Sequence, residues 1–165
     1  MPYTPRTRPI SLAELDIVRD LALQIWPKCH HNLIPPDHMD EMLTSQFDLD
    51  VLEQDMTESG HIYWVVSIGQ TDVGFAAAHM EDGRVWITKL YVLSDYRGLG
   101  LGKILIQAVQ DYFLPAHAMS VCVHKVQEAA VDFCLHHGFN IDREVPVSIG
   151  AYGFTDYLMH KDLRN

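Results

Sequence analysis

The stretch Leu90-Tyr91-Val92-Leu93-Ser94-Asp95-Tyr96-Arg97-Gly98-Leu99-Gly100-Leu101-Gly102-Lys103 decides how this chain is read. An apolar strand pattern runs straight into a helix through a turn with glycine at alternate positions. Glycines there let a backbone come close to a ligand without interference from Cβ. They also expose successive N–H groups at a helix N-terminus, where the dipole favours negative charge. Arg97 and Lys103 add two cations, so a diphosphate is the natural occupant. Spacing excludes two common nucleotide loops. A Walker A loop requires Ser or Thr after its lysine, and Lys103 is followed by Ile104. The dinucleotide fingerprint Gly-x-Gly-x-x-Gly would need a glycine where Lys103 stands.

Downstream, Leu101, Ile104, Leu105, Ala108, Val109 and Tyr112 line one face of a helix that Leu114-Pro115 stops. A short strand over 120–124, a helix over 127–137 closed at Gly138, and strands over 139–145 and 152–159 follow. Upstream, 85–93, 73–80 and 62–68 are β-branched and aromatic runs separated by Glu81-Asp82-Gly83 and Gly69-Gln70-Thr71-Asp72, as in a meander. Before them come a first strand over 7–10, a helix from Leu12 ending near Pro27, a helix opened by Pro35-Pro36-Asp37, and a short helix over 49–56. This order predicts one central sheet in an α+β or mixed α/β fold, as a single domain over 1–165.

At 48% apolar and 21% charged, a chain of 165 residues supports a core without disulfides or metals. No apolar run approaches the ~20 residues of a membrane helix, and no secretory signal precedes the first strand. Cys29, Cys122 and Cys134 are odd in number and lack metal-like spacing. A cytoplasmic protein without membrane partners is expected. The net charge of −10 argues against nucleic acid, which demands basic surface. It suits cationic substrates, and equally serves solubility. His30-His31 and His136-His137 are adjacent pairs, whereas zinc-binding helices present ligands four apart, so no metal is expected.

The glycine turn resembles motif A of the GNAT superfamily of CoA-dependent N-acyltransferases, Arg/Gln-x-x-Gly-x-Gly/Ala, through Arg97, Gly100 and Gly102. Leu90-Tyr91-Val92 is similar to the strand end that precedes it in that family. Val121-Cys122-Val123-His124-Lys125, Ala130-Val131-Asp132-Phe133 and Gly138-Phe139 resemble motif B. Asp156-Tyr157-Leu158-Met159-His160-Lys161 looks like the closing strand of a bacterial branch that includes polyamine acetyltransferases. The resemblance implies a mostly antiparallel sheet of about seven strands, splayed at the CoA site and flanked by helices. It implies acetyl-CoA as co-substrate and an N-acetyltransferase acting on a small amine, polyamine or peptide amine.

By the same resemblance, Leu90 and Val92 hold the pantetheine arm, while Arg97, Gly98, Leu99, Gly100, Leu101, Gly102 and Lys103 form the pyrophosphate loop. Gln127 replaces the usual Asn beside the arm, and Cys134 stands where a tyrosine usually protonates the departing thiolate. A backbone N–H near Val92 is the expected oxyanion donor. Attack by an amine that is protonated at neutral pH requires a base. His79, Glu81 and Asp156 are the candidates, since Thr88 and Lys89 occupy the place where some relatives carry glutamate. The helices before Gly60 and residues 152–157 are expected to wall the acceptor pocket. Loss of the tyrosine leaves a second class open, a non-catalytic CoA-binding sensor or interaction module. Exposed β edges allow a homodimer.

Overall fold

The computed structural model describes residues 4–30, 34–149 and 152–164, apart from the side chains of His30 and Ile149. Its centre is a seven-stranded sheet in the order β1-β2-β3-β4-β5-β7-β6. The strands are β1 (Pro5–Pro9), β2 (Ile62–Ile68), β3 (Thr71–Glu81), β4 (Arg84–Val92), β5 (Ala118–His124), β6 (Asn140–Ile149) and β7 (Tyr152–Asp162). Every neighbouring pair is antiparallel except β4 and β5. The mixed α+β sheet expected from the sequence is present.

Helices α1 (Leu15–His30), α2 (Pro36–Phe47) and α3 (Leu49–Thr57) pack on one face, and α4 (Leu101–Tyr112) and α5 (Glu128–His136) on the other. Strand alternation divides the core between these layers. Tyr63, Val65, Phe75 and Ala77 point toward α1–α3, while Trp64, Val66, Ala76 and Ala78 point toward α4. Ala76, Ala77 and Ala78 are fully buried, and their small side chains let a helix approach the middle of the sheet from either side. Among the described residues, no helix is long and apolar enough to cross a membrane.

Several boundaries differ from expectation. Helix α1 does not stop at Pro27 but carries it inside and runs to His30. The carbonyl that loses its i→i+4 partner is that of Leu23, on the exposed side of the helix, while Trp26 and Cys29 pack against the core on either side of the proline. Strands β6 and β7 outrun their apolar patterns because they pair with each other over nearly their full length. His31, of the first histidine pair, lies outside the described residues.

One irregularity shapes the site. Ala77 pairs with Lys89 and Ala78 with Ile87, so Thr88 is an extra residue in β4. A single-residue bulge reverses which face every later side chain takes. Before it Val85 and Ile87 face α4. After it Leu90 and Val92 do, and Lys89 and Tyr91 turn to the α1–α3 layer. At the same point β4 parts from β5, with Ile87 and Val121 as their last pair.

Candidate active site

Beyond Ile87 the facing edges of β4 and β5 are unpaired, leaving a gap between residues 88–92 and 122–124. Leu93 donates its N–H to the Val73 carbonyl, and the Tyr91 carbonyl faces Gly74 on β3. Alternation along the antiparallel ladder therefore turns the peptide groups of Leu90 and Val92 toward the gap. These are the two residues to which the resemblance gives the pantetheine arm.

The glycine turn lies at the end of this edge, after a 3-10 turn over Ser94–Tyr96. Gly98 and Gly100 take φ of +81° and +78°, and a Cβ on either would meet nothing within 4 Å. Gly100 is the N-cap of α4 and provides no side-chain cap. The first-turn amides of Leu101, Gly102 and Lys103 have no partner inside the helix. Open space, uncapped amides and a helix N-terminus suit a diphosphate. Gly102 has another function. A Cβ there would come within 2.8 Å of the Phe133 ring, so this glycine is required where α4 rests against α5. Packing against Phe133 is thus a second demand on Gly102, beside its place in the glycine turn.

Lys103 adds positive charge beside α5. His137 is held below its ordinary pKa by burial first, then by His136, Lys103 and Lys161. Arg97 reaches toward α1, with Nη2 donating to Cys29 Sγ at 3.1 Å. Gln127, the N-cap of α5, donates to the Cys29 carbonyl at 2.6 Å. The two side chains expected to contact CoA from opposite sides of the gap thus meet at the end of α1.

The candidate catalytic residues scatter. Cys134 is buried in the α4–α5 core layer, and burial raises its thiol to about 11. His79 pairs with Trp86 where β4 and β5 are still joined, away from the gap. There it joins a polar cluster on the α1–α3 side, its ring 4.7 Å from that of His61. In that cluster Asp55 accepts from the Tyr63 hydroxyl at 2.8 Å and pairs with Lys89 at 3.4 Å. Burial depresses the Lys89 pKa, and Asp55 opposes the shift. Glu81 ends β3, at an exposed hairpin.

Asp156 alone stands at the gap. It is buried, and its Oδ1 lies 2.5 Å from Nδ1 of His124, the last residue of β5. The sequence analysis gave His124 no role, because its partner Asp156 lies far along the chain and is brought beside it only by the pairing of β5 with β7. Tyr91 stands across the gap. Burial pushes its phenol up to about 12, against the opposing hydrogen bond that Trp26 donates to it, and the Asp156 carboxylate adds to the rise. Phe154 packs beside the His124 ring at 5.1 Å, and Tyr152 meets His38 at 5.6 Å, so the start of α2 faces β7.

A family model described as the acetyltransferase (GNAT) family matches residues 18–139. The fold is similar to that of the PaiA N-acetyltransferase of Thermoplasma acidophilum, solved with coenzyme A, at a TM-score of 0.82 and 15% identity over 96% of this chain and 99% of that one. A GCN5-related N-acetyltransferase from Rhodopseudomonas palustris gives 0.80 and 20%, over 99% and 98% of the two chains. Mutant forms of the spermidine/spermine N-acetyltransferase SpeG from Vibrio cholerae give 0.68 and 14%, over 96% and 93%. At such identities the likeness is one of fold alone. No curated protein matches the sequence.

Proposed function

From the premise that the chain belongs to the acetyltransferase (GNAT) family, we propose that it moves the acetyl group of acetyl-CoA directly onto a primary amine, with His124 accepting the amine's proton. The observation that carries this reading is the His124–Asp156 pair standing across the β4–β5 gap from Leu90 and Val92.

The amides of residues 98–103, with Arg97 and Lys103, would hold the diphosphate, and the gap-facing peptide groups of Leu90 and Val92 would hold the arm. Bound there, acetyl-CoA supplies an activated acyl group. The Val92 N–H would then meet negative charge growing on the acyl oxygen. Asp156 accepts from Nδ1 of His124, which fixes the tautomer whose Nε2 carries the lone pair. An amine entering from the α1–α2 side would lose its proton to that nitrogen before or during attack.

Cys134 fits packing better than acid catalysis. A thiol raised to about 11 by burial holds its proton more tightly than an ordinary thiol at ~8.5, so donation to a departing thiolate would run uphill.

The test is thiol release with acetyl-CoA and a primary amine, paired with calorimetry of acetyl-CoA binding. Replacing His124 with Ala or Asp156 with Asn should lower kcat by roughly 10²- to 10⁴-fold, the range for general-base catalysis, with acetyl-CoA affinity unchanged. Full turnover in His124→Ala would overturn the assignment of the base. Binding without turnover on any amine would make the wild-type chain a CoA-binding module.

A further inference from the structure

Resting on that reading, we infer that the acceptor is a monoamine carried on an uncharged, apolar body, and that the site selects against polyamines. Beside His124 lies a cavity of about 300 Å³ lined by His124, Lys125, Val126, Gly153, Phe154 and Thr155. Its apolar surface comes from the Phe154 ring and from Val126, a valine left 66% exposed at the mouth. A surface valine next to a candidate base is an anchor for apolar substrate atoms, since covering it removes apolar area from water.

The charges point the same way. A polyamine carries one or more further ammonium groups past the reacting nitrogen, and each needs a carboxylate to replace its water. None of the residues that line the cavity is acidic, and two carboxylates beside it are engaged. Asp156 faces His124, and Glu144 pairs with Lys125 at 3.0 Å. Lys125 itself lines the cavity, and its charge repels a second ammonium. The overall charge of −10 draws in amine cations, the more so the more charges they carry, but screening within about 8 Å weakens this field and leaves selection to the groups at the site.

The probes are phenethylamine and spermidine, compared by kcat/KM with acetyl-CoA saturating. Phenethylamine should exceed spermidine at least tenfold. Phe154→Ala should raise the phenethylamine KM about tenfold with a smaller change in kcat, and Phe154→Leu should recover most of it. Val126→Glu, a surface change that spares the fold, should raise kcat/KM for spermidine and lower it for phenethylamine. Equal or better use of spermidine by the wild-type protein overturns the inference while leaving acetyl transfer intact. Acetyl-CoA binding with neither amine used also overturns it. Failure to bind acetyl-CoA in calorimetry overturns the underlying reading instead.

Discussion

Gln127 donates to the carbonyl of Cys29 at 2.6 Å, tying the start of α5 to the end of α1 across the mouth of the β4–β5 gap. Arg97 grips the same residue through its thiol. The glycine turn and α5 therefore share one anchor on α1. Gln127→Ala should raise KM for the amine as well as for acetyl-CoA, each by several-fold, because the end of α1 loses its tether. If only the acetyl-CoA constant moves in steady-state kinetics, the tether has no bearing on the acceptor.

Gly102→Ala should destabilise the fold by about 1 kcal/mol. Alanine gains up to ~1 kcal/mol in helix propensity, but overpacking against Phe133 costs ~1–3 kcal/mol, and the ring tip lies within 2.8 Å of the new methyl. Adding Phe133→Leu should abolish the loss, which urea midpoints of the single and double variants would reveal. Were the glycine there only for ligand approach, stability would rise and acetyl-CoA affinity alone would suffer.

Acidification should lower the melting temperature between pH 7.5 and 5.5. Burial holds His61 below its ordinary value of 6.5; Asp55 opposes this, while His79 and Lys89 add to it. The unfolded chain then takes up a proton that the folded one refuses. Stability is complete above ~6.5 and declines as pH falls through the folded value. His137, depressed chiefly by burial, acts in the same direction. His61→Gln should flatten the decline without removing it, and an equally steep decline in that variant would locate the proton uptake elsewhere.

Cys134→Ala should leave turnover within about twofold while costing stability, as expected for a buried thiol that packs as a small hydrophobe. In the native protein a thiol reagent should modify the exposed Cys122 well before Cys134. A large drop in turnover for Cys134→Ala would restore it as the acid.

The order of helices and strands was legible because each carries its own period, and the glycine turn because its spacing is unusual. What stayed hidden depends on partners distant in sequence. Gly102 reads like Gly98 and Gly100 until Phe133 is seen beside it. His124 closes a short strand with nothing nearby to mark it, since its partner Asp156 arrives only with β7. His79, one of three candidate bases by sequence, is held at the closed end of the sheet by its pairing with Trp86. Pro27 signalled a stop that the packing of Trp26 and Cys29 overrode.

Thr88 has no register partner on β3, where only its hydroxyl donates to the Ala77 carbonyl, and everything after it in β4 is turned over. Deleting this one residue would not shorten a loop. It would trade the occupants of two compartments, sending Lys89 and its charge into the α4 layer and Leu90 into the aromatic cluster around Phe47. No neighbouring substitution could undo an error of parity, so an engineered or transplanted β4 must keep the number of residues between Ile87 and Lys89 before any choice of side chain matters.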